Sequence, residues 1–211
     1  MCIIWIDTLK KYNDNFRYVC DPVLGDNGKL YVPKELVDVY RKEVIPLANV
    51  VTPNQFEVEQ LTGISVKTMD DAKRAIRALH DLGPDLVVIT SMVLDDHHED
   101  TIAIVASQRG VVNKKDGKTT EDHSWWIESP ILQGDYTGTG DLTAALLLAW
   151  TAKDPDNLGN VLEKVVSTMY TVIQTTQKQS DGTVAGKELK LIQSKRVIEE
   201  PPKLFEAKRL F

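Results

Sequence analysis

The continuous apolar run at 86–89 (Leu-Val-Val-Ile), followed at once by Thr90 and Ser91, is the feature that most constrains the fold. A strand that is apolar at every position is buried on both faces, as in parallel sheets covered by helices. Strand candidates at 17–20 and 50–52 and amphipathic helices at 33–46, 53–63 and 68–82 precede it. This alternation predicts an α/β fold with a mainly parallel sheet flanked by helices.

The second half of the chain continues the same pattern. Strands are predicted at 102–106 and 124–127 with a polar turn at 113–118 between them, and helices at 142–150 and 158–173. The polar tail includes a stretch at 187–198 whose periodicity fits helix and strand equally well. Because 211 residues can enclose one core without a disulfide or metal, we expect a single domain over residues 1–211.

Composition disfavours several classes of partner. The chain has 31 acidic and 25 basic residues and a net charge of −6, so phosphate backbones and anionic membranes are poor partners. Cys2 and Cys20 are too few for a disulfide framework and lack zinc-site spacing, which fits a reducing cytosol. The longest apolar stretch, at 144–150, is far shorter than a membrane span, and the first residues lack the features of a signal peptide. We therefore expect a soluble cytoplasmic protein.

Polar side chains follow the carboxyl ends of the predicted strands, which is where open α/β sheets bind ligands. In chain order they are Asp21, Asp26, Thr52, Asn54, Glu57, Thr90, Ser91 and the string at 138–141. Carboxylates together with substrate phosphates are how proteins usually hold Mg²⁺, so this set indicates a phosphate and metal site. The alternative for the first two carboxylates is an acidic turn. The alternative for Asn54 and Glu57, which share a helix face, is a solvated surface.

The string Gly138-Thr139-Gly140-Asp141 leads directly into a predicted helix. Two residues without Cβ let backbone N–H groups approach an anion closely, and the helix N-terminus adds a partial positive charge. A carboxylate beside such an anion hole is what a kinase needs to accept a hydroxyl proton. The alternative for Asp141 is a simple capping aspartate.

Three other motifs do not indicate a site. The string at 117–119 (Gly-Lys-Thr) resembles the end of a P-loop, but Val112 stands where the first glycine is required. The paired glycines before Asp141 are not a dinucleotide fingerprint, because Thr143 occupies the third glycine position. The acidic and histidine-containing string at 95–100 is typical of an exposed loop rather than a metal centre, and we assign it no role.

Four strings together resemble the pyridoxal kinases of the ribokinase-like superfamily. They are Tyr-Val-Cys-Asp-Pro-Val-Leu-Gly-Asp at 18–26, Val-Thr-Pro-Asn-Gln-Phe-Glu at 51–57, Val-Ile-Thr-Ser at 88–91 and Gly-Thr-Gly-Asp-Leu at 138–142. The resemblance extends to Gln-Ser-Lys-Arg at 193–196. It implies a ribokinase-like fold and ATP-dependent phosphorylation of the 5′-hydroxymethyl group of pyridoxal, pyridoxine and pyridoxamine.

The resemblance also implies residue roles. Asp141 would be the base, and Gly138, Thr139 and Gly140 would form the anion hole. Gly138, Thr139 and Asp141 would meet the substrate. The residues matching nucleotide-binding positions are Asp21, Thr52, Asn54, Glu57, Thr90, Ser91, Leu132, Gln133, Gly134 and Thr139. Asp26, Glu57 and Thr52 match the divalent cation region. The implied cofactors are Mg²⁺ or another divalent cation with ATP, together with a monovalent cation, and the implied assembly is a homodimer.

The resemblance further implies that the part preceding Arg17 in the family, which supplies the first strands and the grip on the pyridine ring, is absent. The sequence therefore predicts the ATP-binding portion of an N-terminally truncated ribokinase-like domain. Two alternatives stay open. One is a catalytically incompetent product that binds nucleotide or a partner chain, and the other is a related kinase for a hydroxymethylpyrimidine or a sugar.

Overall fold

The computed structural model describes residues 2–13, 15–98, 100–110, 122–180, 182–183 and 185–210. The helices are α1 (Cys2–Tyr12), α2 (Glu35–Val39), α3 (Gln55–Thr62), α4 (Met69–Asp81), α5 (Thr139–Lys153), α6 (Leu158–Gln179) and α7 (Lys195–Glu199). The strands are β1 (Val19–Cys20), β2 (Gly25–Asp26), β3 (Lys29–Leu30), β4 (Val50–Val51), β5 (Leu86–Met92), β6 (Thr101–Gln108), β7 (His123–Pro130) and β8 (Lys208–Arg209). Among these helices, none combines the length and apolar character needed to cross a membrane.

Six strands form the central sheet in the order β1-β4-β5-β6-β7-β8. Strands β1, β4 and β5 are parallel, whereas β6, β7 and β8 each run antiparallel to the preceding strand in the sheet. Four strands, β1, β4, β5 and β7, therefore point the same way, and the predicted α/β class with a mainly parallel sheet is confirmed. The hairpin β6–β7 was also predicted, while its turn at 113–118 lies outside the described residues.

Helices cover both faces of the sheet, which explains the apolar run in β5. Val87 and Ile89 belong to the core cluster that includes residues of α3 and α4. Leu86 and Val88 point the opposite way, into the cluster that includes residues of α5 and α6. Because successive side chains of a strand alternate between faces, two covered faces require an apolar residue at every position.

Two local features differ from the sequence prediction. The helix predicted at 33–46 is regular only over α2 and continues as a π-helical segment at Tyr40–Val44 and a 3₁₀ turn at Ile45–Leu47. Pro46 has no N–H to donate, so a regular α-helical ladder cannot continue through it. The stretch between the strand predicted at 17–20 and the helix predicted at 33–46, where no strand is predicted, contains the hairpin β2–β3, in which Asn27 and Gly28 have φ of 50° and 76°. Two consecutive positive φ values are what a two-residue hairpin turn requires, and Asn-Gly is its usual sequence.

His80 of α4 is buried in a polar chain on the side of the sheet where β5 begins. Its Nδ1 lies 2.9 Å from the Pro84 carbonyl oxygen and its Nε2 lies 3.0 Å from Ser107 Oγ, which in turn accepts a hydrogen bond from Ser124 Oγ at 2.9 Å. Burial lowers the pKa of His80 below its usual 6.5, and the Pro84 carbonyl partly opposes this shift. Among charged neighbours, Arg109 lowers the pKa and Asp122 and Asp85 raise it.

Because of His80, we expect the folded protein to lose stability in mild acid. Its folded-state pKa lies below the unfolded value, so the unfolded chain binds more protons and stability falls as the pH drops below about 6.5. Urea unfolding at pH 8 and pH 5.5 should therefore show a smaller pH effect in His80→Gln than in the wild type, while exposed His98→Gln should behave as the wild type. An unchanged pH effect in His80→Gln would show that another group is responsible.

Candidate functional site

The carboxyl ends of β1 and β4 meet the N-terminus of α5. Asp21 follows β1, and Thr52 follows β4 with its N–H donating to the Cys20 carbonyl at 3.0 Å. Asp21 lies against the helix terminus so closely that a Cβ on Gly140 would stand 2.5 Å from Asp21 Oδ2. The structure thus brings together residues from three predicted strings, and Gly140 is a position that only glycine fits without displacing Asp21.

Two carboxylates, those of Asp21 and Asp141, are close enough to interact electrostatically in this arrangement. Burial raises the pKa of Asp21, and the negative charge of the exposed Asp141 raises it further. The Thr52 hydroxyl lies near enough to oppose both effects, yet its oxygen is buried and makes no hydrogen bond of full geometry with any described residue. A bound cation would reduce the repulsion between the two carboxylates and would also satisfy the buried Thr52 oxygen.

The loop that enters α5 has the geometry of an anion site. Gly138 is the N-cap, with φ 93° and ψ 8° in the left-handed region, and its carbonyl accepts the helical hydrogen bond from Leu142 N–H at 3.0 Å. The first amides of an α-helix have no acceptor within the helix, so those of Thr139, Gly140 and Asp141 are available to a ligand. We call residues 138–141 the anion loop.

Glu57 and Asn54 join α3 to the segment between β1 and β3. The Glu57 carboxylate accepts the N–H of Leu24 at 2.7 Å and of Asn54 at 2.9 Å. Asn54 accepts the Glu57 N–H at 2.9 Å and donates to the Gly25 carbonyl at 2.8 Å. Glu57 is 3% exposed, and burial raises its pKa while the N–H groups of Asn54 and Leu24 oppose the shift. The alternative of a solvated surface therefore does not hold for Glu57.

Asp26 lies in the β2–β3 hairpin, and its carboxylate is exposed. It accepts hydrogen bonds from the Asn27 backbone at 2.8 Å and side chain at 3.3 Å. Within the described ranges, no hydrogen bond joins Asp26 to Glu57 or Thr52. The two carboxylates assigned to the cation region thus differ in exposure. Glu57 is buried and held by backbone amides, whereas Asp26 is exposed to solvent.

Thr90 and Ser91 lie where the register of β5 with β6 shifts between Ile89 and Met92. They line a cleft of about 260 Å³ together with Leu132, Thr139 and Gly140. Gln133 and Gly134 do not line it and are exposed on the approach to the anion loop. The cleft connects the anion loop with the end of β5.

Part of the cleft wall was not found from the sequence. Met169, Tyr170 and Ile173 of α6 line the cleft opposite β5 and β6. Periodicity predicts an amphipathic helix at 158–173 but not this role, because a helix that packs on a sheet and a helix that lines a cleft have the same periodicity. The sequence feature that could have indicated this role is the position of residues 169–173 in the C-terminal half of α6.

The residues at the site fit a divalent cation that is shared with a phosphate ligand. In the part of the chain that the structure describes, no three His, Cys, Asp or Glu side chains form a group that could hold a metal ion by themselves. Mg²⁺ is commonly held by one or two carboxylates, waters and substrate phosphates rather than by a complete protein cage. Asp21 and the unsatisfied Thr52 hydroxyl, beside the anion loop, are a donor set of that kind.

Comparison with known proteins identifies similar sequences. A family model described as phosphomethylpyrimidine kinase matches residues 3–178. The pyridoxal kinase of Dictyostelium discoideum is 41% identical over 210 residues, which cover 97% of this chain and 68% of that protein. The pyridoxal kinase of Arabidopsis thaliana is 42% identical over 209 residues, covering 97% of this chain and 64% of that protein. The chain therefore spans about two thirds of the length of these relatives.

Solved structures show the same similarity in three dimensions. The pyridoxal kinase from Leishmania donovani in complex with ADP and pyridoxamine superposes with a TM-score of 0.82 at 27% sequence identity. The match covers 100% of this chain and 69% of that one. The sheet and flanking helices described above are therefore shared with a protein that was crystallised with a nucleotide and a vitamer.

Proposed function

Since this chain belongs to the pyridoxal kinase family, we propose that its anion loop transfers the γ-phosphoryl group of ATP to the 5′-hydroxyl of a vitamin B6 vitamer. One observation carries the proposal: Asp141 and the free amides of the anion loop lie beside Asp21 and the unsatisfied Thr52 hydroxyl. A carboxylate that can accept a proton, an anion site and the proposed cation ligands thus lie close together, as phosphoryl transfer requires.

Asp141 is the base in this proposal. As the 5′-oxygen forms its bond to the γ-phosphorus, the bond from that phosphorus to the β-phosphate oxygen breaks, ADP leaves, and the hydroxyl proton passes to the Asp141 carboxylate. The side chain is exposed at the start of α5 and therefore reachable by a substrate. The amides of the anion loop stabilise the charge on the transferred group, which is where most of the rate enhancement arises.

Asp21 and Thr52 would hold the divalent cation together with the ATP phosphates. Mg²⁺ bound there would neutralise part of the phosphate charge. Glu57 keeps the segment that follows Asp21 in place through the Leu24 and Asn54 amides. The exposed Asp26 would reach the cation through water.

The cleft of about 260 Å³ is the proposed nucleotide site. Thr90 and Ser91 would bind the phosphates at its polar end, and Leu132 with the α6 side chains would contact the nucleoside at its apolar end. Gln133 and Gly134 would border the nucleotide from the exposed loop. Residues 1–211 would form one nucleotide-binding domain in this scheme.

The assay that tests this function also separates the alternatives. The chain is incubated with Mg-ATP and pyridoxal, hydroxymethylpyrimidine or ribose in turn, product is measured, and thermal stabilisation by Mg-ADP is measured in parallel. We expect pyridoxal phosphate to form and Mg-ADP to raise the midpoint of thermal unfolding. Stabilisation without any product would identify an inactive nucleotide binder, and phosphorylation of another alcohol only would identify a related kinase. The absence of both signals would contradict every nucleotide-based function.

A further inference from the structure

The segment Lys187–Lys190, which we call the strap, is bound to the residue immediately before the anion loop. Thr137 N–H donates to the Lys187 carbonyl at 3.0 Å, and Leu189 N–H donates to the Thr137 carbonyl at 3.4 Å. These bonds form a parallel bridge between Thr137 and Glu188. The strap thus adds backbone pairing at the one place where the chain enters the anion loop.

The side chain of Leu189 also faces the anion loop. A Cβ built on Gly138 would find Leu189 Cδ1 at 4.0 Å, the nearest heavy atom outside its chain neighbours. Gly138 and Gly134 both have φ in the left-handed region, at 93° and 133°, so the connection from β7 to α5 includes two residues with wide conformational freedom. Ordering such a loop has an entropic cost that neighbouring contacts must offset.

The strap is itself anchored to α6. Lys190 N–H donates to Thr176 Oγ1 at 3.0 Å, and this hydroxyl donates to the Val172 carbonyl at 2.8 Å in the buried part of the helix. A second tie runs from Gln177 Nε2 to the Gln133 carbonyl at 3.2 Å. The anion loop is therefore connected through the strap to α6, which covers one face of the sheet together with α5.

One ion pair supports the same connection. Lys187 Nζ lies 3.0 Å from Asp135 Oδ2, with the two side chains 44% and 90% exposed. Exposed pairs contribute little to stability, about 0–1 kcal/mol. The backbone bridge and the Leu189 side chain, rather than this ion pair, therefore dominate the attachment.

We propose that Leu189 is a positioning residue for phosphoryl transfer, which holds the anion loop in its catalytic conformation through its hydrogen bond to the Thr137 carbonyl and through a side chain that lies beside Gly138. The inference rests on the proposed function for its catalytic part only. Preorganised amides stabilise a transition state because they need no reorientation during reaction. Loosening them weakens an interaction with the transferred group in the transition state, so we expect the effect to fall on kcat more than on the KM for the vitamer.

Hydrogen exchange tests the proposal without requiring activity. Leu189→Pro removes the N–H that donates to Thr137, and Leu189→Ala removes only the side-chain contact and serves if the proline variant does not fold. Leu191→Ala, a leucine that is 44% exposed in the next turn, is the matched control. We expect the hydrogen-bonded amides of Thr137 and Leu142 to exchange about tenfold faster in the Leu189 variants, with the control and the thermal midpoint as in the wild type.

The kinetic readout completes the test. The Leu189 variants should lose about ten- to a hundredfold in kcat with little change in the vitamer KM. Unchanged exchange of the Thr137 and Leu142 amides overturns the proposal, whatever the activity. Faster exchange with wild-type kcat overturns the catalytic part. If the wild type itself has no kinase activity, the proposed function fails, while the exchange result still decides whether Leu189 positions the loop.

Discussion

An Asp141→Asn variant is expected to phosphorylate pyridoxal about 10²–10⁴ times more slowly than the wild type, while binding Mg-ADP with at least equal affinity. Asparagine keeps the size of the side chain and the start of α5, but it cannot accept the hydroxyl proton. The negative charge that raises the pKa of Asp21 also disappears, which favours the charged form of this proposed cation ligand. The loss should therefore fall on kcat rather than on nucleotide binding.

The control for this variant is Asp156→Asn, an exposed aspartate just beyond the other end of α5. Single-turnover formation of pyridoxal phosphate, followed by absorbance, measures the rate in both proteins, and calorimetry with Mg-ADP measures binding. The control should match the wild type in both measurements. Full turnover in Asp141→Asn would remove this residue from the mechanism and reduce it to a capping aspartate.

Glu57→Gln is expected to lower the free energy of unfolding by about 2–4 kcal/mol. Both carboxylate oxygens accept backbone N–H groups, from Leu24 on one side and Asn54 on the other. A glutamine offers only one oxygen, so its NH₂ group would face an N–H donor and leave it unsatisfied in a buried place. Such a donor–donor conflict has no water to relieve it, because Glu57 is 3% exposed.

Urea unfolding of Glu57→Gln beside Glu43→Gln, an exposed glutamate, measures this effect. The Glu43 variant should unfold as the wild type does. The Glu57 variant should in addition bind Mg-ADP more weakly, since the segment from Leu24 to Gly25 that follows Asp21 loses its anchor. If the Glu57 variant unfolded at the wild-type urea concentration, the hydrogen bonds from the Leu24, Gly25 and Asn54 amides to Glu57 would contribute little to stability.

The parts of the fold that the sequence predicted are those with a strong local signal. The run in β5 is apolar on both faces because each face has its own core, and this reads directly from the sequence. Helices α3 and α4 begin within two residues of the predicted starts at 53 and 68, and each has a capping box, with Asn54 and Thr68 as the N-caps. The hairpin at Asn27-Gly28 was missed although its turn sequence is typical, because β2 and β3 have only two residues each and show no alternation.

The candidate site was predicted as a set of residues but not as a set of contacts. Strand order places Asp21, Thr52 and the anion loop at one edge of a sheet, and that follows from topology alone. The close approach of Asp21 to Gly140 depends on how α5 packs against β1, which no sequence spacing encodes. The burial of Glu57 likewise depends on the hairpin that folds over it. The strap is 50 residues away from Thr137 in sequence, so only the tertiary structure reveals the bridge.

Phosphorus NMR of the wild-type chain with Mg-ATP and pyridoxal is the most direct test of the central claim, which is that the anion loop and Asp141 form a phosphoryl-transfer site. The expected result is one 5′-phosphate ester of pyridoxal for each ATP converted to ADP, with no comparable signal from Asp141→Asn over the same time. An equal rate of ester formation by Asp141→Asn, or ATP bound by the wild type with no ester formed, would contradict it.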